Sequence, residues 1–185
     1  MVKDEKMRFE ELYRAVMEKS KRLGIPHIPL EDAYVIEATS FSTLANVEGV
    51  ALDLGAGVGF STIWMLRAAK EFGKRLIAVE RDEIYFEELK DLAKKFGFEA
   101  VKAEAKEFLK ELDESVAFAF VDVDKGDYPE VAELLYEKLS RGGVALFHNA
   151  FFPSPPQAFF DKVKELGFRY IIVPTSLGLL LAAKA

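Results

Sequence analysis

The chain has 185 residues, of which half are apolar and 30% charged, with a formal net charge of −6 and no cysteine. That length suits one domain with a sizeable buried core. The acidic balance argues against a nucleic-acid partner, whose phosphates call for clustered cations, and the missing thiols exclude disulfides, cysteine nucleophiles and thiolate metal sites.

Met1 to Glu11 is charged and lacks the apolar centre of a signal peptide. No apolar run reaches the length of a membrane span. The expectation is a soluble cytoplasmic protein with no membrane partner; a homodimer is left open. Met7 to Leu23 carries apolar residues at helical spacing (Met7, Leu12, Val16, Leu23) up to Gly24. Pro26 and Pro29 interrupt the chain before a second helical stretch over Leu30–Leu44. Residues 1–45 thus read as a helical extension of a single domain spanning 1–185. His27, set between the two prolines, reads as structural.

A regular alternation follows. Strands are expected at Val50–Leu54, Leu76–Val79, Phe98–Lys102, Val116–Val121 and Gly143–Phe147. The helices between them fall at Ser61–Phe72, Glu83–Phe96, Lys106–Leu112 and Pro129–Leu139. Strands alternating with helices of this length imply a parallel sheet covered on both faces. After a helix at Pro156–Leu166, the strands Tyr170–Val173 and Leu177–Ala183 are joined by Pro174-Thr175-Ser176. A connection so short makes them antiparallel, because a parallel crossover takes about a dozen residues. The fold class is therefore α/β: a doubly wound, seven-stranded, mostly parallel sheet closed by an antiparallel hairpin.

The first strand runs into Asp53-Leu54-Gly55-Ala56-Gly57-Val58-Gly59-Phe60-Ser61. Gly55, Gly57 and Gly59 let the backbone turn sharply and come close to a ligand beside the positive end of the next helix. The dinucleotide fingerprint requires a third glycine where Phe60 stands, so a pyrophosphate is disfavoured. An acid at Asp53 suits the ammonium of an amino-acid-like ligand. Glu80, at the end of the second strand and about twenty residues beyond the loop, can accept hydrogen bonds from both ribose hydroxyls. A ligand with an amino-acid end and a ribose satisfies both, and S-adenosylmethionine is the common one.

Three segments, in order, resemble the small-molecule O-methyltransferases of the catechol and caffeoyl-coenzyme A type. They are Leu52–Thr62, the segment Ala119-Phe120-Val121-Asp122-Val123-Asp124-Lys125-Gly126-Asp127-Tyr128, and Leu139–Asn149. The resemblance implies a Rossmann-like S-adenosylmethionine-dependent methyltransferase acting on a small-molecule acceptor. It implies that Gly55, Gly57 and Gly59 cradle the cofactor, Ser61 holds its carboxylate, Glu80 its ribose, and Glu104-Ala105 lie beside the adenine. It further implies that Asp122 and Asn149 coordinate a divalent cation and that Lys125 is the catalytic base. Asp122, ending the fourth strand at the cofactor edge, is also read as a cofactor-site residue.

One position departs from the family: His148 stands where a metal-binding carboxylate is expected. Magnesium favours hard oxygen ligands, so metal use stays open. With a metal, Asp122, His148 and Asn149 would hold it. Without one, His148 is the better base, since an imidazole titrates near neutrality. A cofactor-binding protein without catalysis and a nicotinamide-dependent reductase are the alternatives. Asp124 and Asp127 read as solvated turn residues. Phe41, Phe147, Phe151 and Phe152 read equally as core or as an acceptor pocket.

Overall fold

The computed structural model describes residues 2–185, with side chains from Phe9 onward. The reading of Met1–Glu11 falls in part outside the described residues, as does the side chain of Met7. No helix among those described is long and apolar enough to cross a membrane.

The helices are α1 (Val2–Leu23), α2 (Leu30–Leu44), α3 (Phe60–Glu71), α4 (Glu83–Phe96), α5 (Ala105–Glu111), α6 (Tyr128–Lys138) and α7 (Gln157–Glu165). The strands are β1 (Val50–Leu54), β2 (Leu76–Glu80), β3 (Glu99–Lys102), β4 (Val116–Val121), β5 (Leu139–His148), β6 (Arg169–Val173) and β7 (Leu179–Ala183). They form one seven-stranded sheet in the order β3-β2-β1-β4-β5-β7-β6. β1 to β5 run parallel, and β7 pairs antiparallel with both β5 and β6. The doubly wound sheet and its closing hairpin are as expected.

The central strands β1, β2 and β4 are buried along their whole length. Apart from Asp53 and Glu80 they are apolar, because both faces of the sheet are covered. Along β4, Phe118 and Phe120 pack toward Ile36, Ile63 and Met65, while Ala119 and Val121 pack toward Val131, Leu135 and Phe159. Helices α1 to α4 therefore cover one face and α5 to α7 the other. Leu12 and Val16 of α1 and Ala33 and Ile36 of α2 belong to the first of these clusters, so the helical extension is packed into the domain core.

Local signals fix several boundaries. Asp82 caps α4 by accepting from the amides of Ile84 (2.9 Å) and Tyr85 (3.1 Å), and Gly97 ends the helix with φ 76°. β5 begins at Leu139 rather than Gly143, across an irregularity in its pairing with β4. From β1 the chain winds outward through β2 and β3, then crosses back to β4. The carboxyl ends of β1 and β4 thus flank the point where strand order reverses, the usual ligand crevice of such sheets.

Candidate functional site

The crevice holds a cavity of ≈ 450 Å³, within the range typical of small-molecule sites. Its floor is the glycine loop. The amides of Gly55 and Ala56 both donate to the Val79 carbonyl (2.9 and 3.0 Å), tying the loop to β2. A Cβ on Gly55 would stand 2.2 Å from the carbonyl oxygen of Asp122, so only glycine lets the β1 turn press against the end of β4. A Cβ on Gly59 would meet Leu92 of α4 at 2.7 Å, which makes it a packing glycine. Gly57 differs: nothing lies within 4 Å of its Cβ position. It faces the cavity.

Glu80 lines the same cavity and is buried. Its Oε2 accepts from the Gly57 amide (2.7 Å) and its Oε1 from the Asp82 amide (2.8 Å), so the carboxylate is fixed in place before any ligand arrives. Glu104 and Ala105 form the wall at the end of β3, and Asp122 that at the end of β4. Asp53 is fully buried behind the loop. Its Oδ2 accepts from the hydroxyls of Ser61 (2.8 Å) and Thr62 (2.6 Å). Burial pushes its pKa up to about 7, against the pull of those two hydroxyls and with a further push from the charges of Asp122 and Glu80. The acid that suited an ammonium therefore acts through the first turn of α3, whose hydroxyls it orients.

Beside Asp122 runs a row of alternating charge. Lys125 Nζ lies 2.7 Å from Asp122 Oδ1, and His148 Nδ1 lies 3.2 Å from Asp122 Oδ2. On the far side, His148 Nε2 is 2.9 Å from Asp32 Oδ2, a fully buried carboxylate in the first turn of α2. Burial lowers the imidazole pKa, but the two carboxylates outweigh it, Asp122 foremost, and raise it to about 8. Nε2 is hydrogen-bonded to Asp32, while Nδ1 faces Asp122 within ion-pair distance without a hydrogen bond, and both carboxylates favour the protonated ring. Asp122 titrates below its ordinary value: burial opposes this, and His148 and then Lys125 overcome it. Tyr128, fully buried at the start of α6, places its hydroxyl 3.0 Å from the carbonyls of both Val121 and His148, and accepts from Lys125 at 2.9 Å.

Compared with known proteins, residues 52–150 match the sequence pattern of a methyltransferase domain, more than half of the chain. The chain belongs to the methyltransferase-domain family. No curated protein matches it in sequence. Among solved structures, a protein from Corynebacterium glutamicum superposes with TM-score 0.81 at 16% identity, covering 95% of this chain and 90% of that one. The O-methyltransferase TomG of Streptomyces achromogenes, involved in tomaymycin synthesis and crystallised with SAM, superposes with TM-score 0.75 at 18% identity, covering 95% and 90%. An O-methyltransferase from Bacillus cereus in complex with SAH gives TM-score 0.75 at 15% identity, covering 95% and 91%. At such identities the likeness is one of fold.

In this methyltransferase the expected site residues divide into two groups. Gly55, Gly57, Ser61, Glu80, Glu104, Ala105 and Asp122 share the cavity wall. Asp53 and Gly59 support that wall from behind, and Lys125, His148 and Asn149 continue from Asp122 toward α2 and the β5 end. The three candidate metal ligands do not fit a divalent cation. Both His148 nitrogens face carboxylates, and both Asp122 oxygens face cations. The Asn149 amide donates to the Phe152 carbonyl (2.8 Å) from a residue at φ 58°. That left-handed turn is one asparagine tolerates well, and it explains the residue without a metal. Among the described residues no three His, Asp or Glu side chains gather as a ligand shell.

Asp124 and Asp127 lie in the turn before α6, as expected, where they pair with Arg81 (2.9 Å) and Lys106 (2.8 Å); Asp124 also lines the cavity. Other expectations need correcting. His27 also borders the cavity, its ring stacked on Phe60 at 4.7 Å. Phe147 is core and Phe41 packs on Phe72, whereas Phe151 and Phe152 are exposed beside the β5 end. Asp32 was missed altogether. Its only sequence signal was a carboxylate in the first turn of a helix, which usually means an exposed residue favoured by the helix dipole.

Proposed function

We propose that this methyltransferase uses S-adenosylmethionine to methylate an oxygen of a small acceptor, without a divalent cation. The observation that carries the cofactor is one cavity that joins the open face of Gly57, the pre-fixed carboxylate of Glu80 and the end of β4 at Asp122. Gly57 would pass beneath the amino-acid portion, Glu80 would accept from the ribose hydroxyls, and Glu104-Ala105 would flank the base. When bound, the cofactor supplies a methyl group already activated on a sulfonium, so the protein has mainly to align it.

The residues beside Asp122 then serve the acceptor. Two carboxylates favour the protonated form of His148, and Lys125 is ion-paired with Asp122, so neither is placed to remove a proton. Asp122, held between two cations, is a weak base. The row instead offers positive charge at the reacting oxygen: Lys125 stabilises the oxyanion, the acceptor hydroxyl loses its proton to water, and His148 and Asp32 hold Asp122 and Lys125 in register. This replaces the base role expected of Lys125 or His148 with an electrostatic one.

Calorimetry with S-adenosylhomocysteine, NAD and EDTA tests the reading. S-adenosylhomocysteine should bind in the micromolar range or tighter, NAD should not bind, and EDTA should change neither the affinity nor, with an acceptor in hand, the turnover. Binding of NAD alone would overturn the cofactor assignment. Turnover abolished by EDTA and restored by magnesium would overturn the metal-free mechanism.

A further inference from the structure

The connection between α1 and α2 closes one side of the cavity: Ser20, Ile25, Pro26, His27 and Ile28 all line it. The end of α1 is fastened there by ion pairs from Lys19 and Arg22 to Glu88 of α4, and the Ile25 amide donates to the Ser20 carbonyl at 3.0 Å. The His27–Phe60 stack brings this connection against the first residue of α3.

Ser20 is 4% exposed and its hydroxyl has no hydrogen-bond partner. That is unusual twice over. A serine inside a helix ordinarily bonds back to the carbonyl one turn earlier, and a buried hydroxyl without a partner destabilises the fold. The free amides of the α3 first turn form a positive helix end at the same cavity, and α3 has no side-chain cap at Gly59. Ser61, the hydroxyl residue expected to hold a carboxylate there, donates its single hydroxyl hydrogen to Asp53 at 2.8 Å. An anion at this helix end therefore lacks a hydroxyl donor from α3 itself, and Ser20 is a buried, unpartnered one on the facing wall.

We propose that Ser20 is a cofactor-binding residue whose hydroxyl donates to the carboxylate at the amino-acid end of the ligand. The inference rests on the S-adenosylmethionine reading above. It makes the N-terminal helix part of the binding site and gives a ligand partner to a hydroxyl that no protein group engages.

The test compares wild type with Ser20→Ala in two measurements: melting of the free protein, and calorimetric affinity for S-adenosylhomocysteine and for 5′-methylthioadenosine, which has the nucleoside but no amino-acid end. Removing an unpartnered buried hydroxyl should leave the melting temperature of the free protein unchanged or higher. The same variant should bind S-adenosylhomocysteine about 10- to 150-fold more weakly, the loss of one hydrogen bond to a charged group, and bind 5′-methylthioadenosine as wild type does. A lower melting temperature without ligand would overturn the proposal by showing that the hydroxyl already has a partner. Equal weakening of both ligands, or of neither, would overturn the assignment to the carboxylate. Failure of wild type to bind S-adenosylhomocysteine would instead overturn the cofactor reading on which it rests.

Discussion

Replacing His148 with glutamine should change how stability depends on pH, and the structure sets both sign and size. The folded protein holds the imidazole proton more tightly than the unfolded chain, with a pKa of about 8 against 6.5. Its stabilisation is therefore whole below about pH 6.5 and is lost as pH climbs through 8, a total of about 2 kcal/mol. Because His148 is almost fully buried, solvent screening removes little of this. Asp53, raised to about 7 from 3.8, also favours the protonated fold, so wild-type stability falls for that reason too as pH approaches neutrality. The variant retains Asp53, and the difference between the two proteins isolates His148. At pH 6.5, His148→Gln leaves Asp32 buried without its cation and should cost about 3–5 kcal/mol. By pH 9 the wild type has lost its imidazolium, and the gap should shrink by about 1.5 kcal/mol. In a domain of this size that is about 3–6 °C of melting temperature. Melting curves of both proteins at half-unit steps of pH decide the matter. A gap that stays constant from pH 6.5 to 9 would show that His148 is not held as an imidazolium, and the electrostatic role given to it would fall.

Other outcomes follow from single contacts. Glu80→Ala should weaken S-adenosylhomocysteine binding by about 1–3 kcal/mol in calorimetry, through lost hydrogen bonds to a charged group. Gly55→Ala puts a Cβ 2.2 Å from the Asp122 carbonyl oxygen at φ 84° and should cost about 3 kcal/mol or more in urea unfolding. Gly57→Ala, with open space around its Cβ at φ 56°, should cost only about 1–2 kcal/mol. Lys125→Met should lower kcat by about 10²- to 10³-fold in a methyl-transfer assay while the affinity for S-adenosylhomocysteine stays at its wild-type value.

Much of the fold was legible because its signals are local. β4 is an unbroken apolar run, β1 is apolar apart from Asp53, and α4 lies between an aspartate cap and a glycine stop. The glycine loop and Glu80 were legible as a pair, since the distance from a β1 turn to a β2 end is set by one helix. Contacts across long separations were not. Asp32 meets His148 only because α2 lies over the ends of β4 and β5, and nothing in Leu30–Leu44 singles out that acid. Ser20 and His27 were hidden for the same reason: a helix end and a proline-flanked loop reveal neither which cavity they border nor which hydroxyl is left without a partner. The start of β5 was displaced because Ser140, Arg141 and Gly142 carry no apolar strand signal, whereas the strand runs through them from Leu139.

The phenol of Tyr128 has a consequence for how this enzyme can diversify. One hydroxyl touches the last carbonyls of β4 and β5 together. The spacing between Asp122 and His148 is thus dictated by the first turn of α6, and the segment from Val123 to Asp127 is a spacer of fixed length. An insertion or deletion there would move Tyr128 and pull the two strand ends apart. Under the proposed function, variation in acceptor falls to the other side of the β5 end, where Phe151 and Phe152 stand exposed beside the β6–β7 connection. One rim of the site behaves as a gauge block and the other as the adjustable jaw.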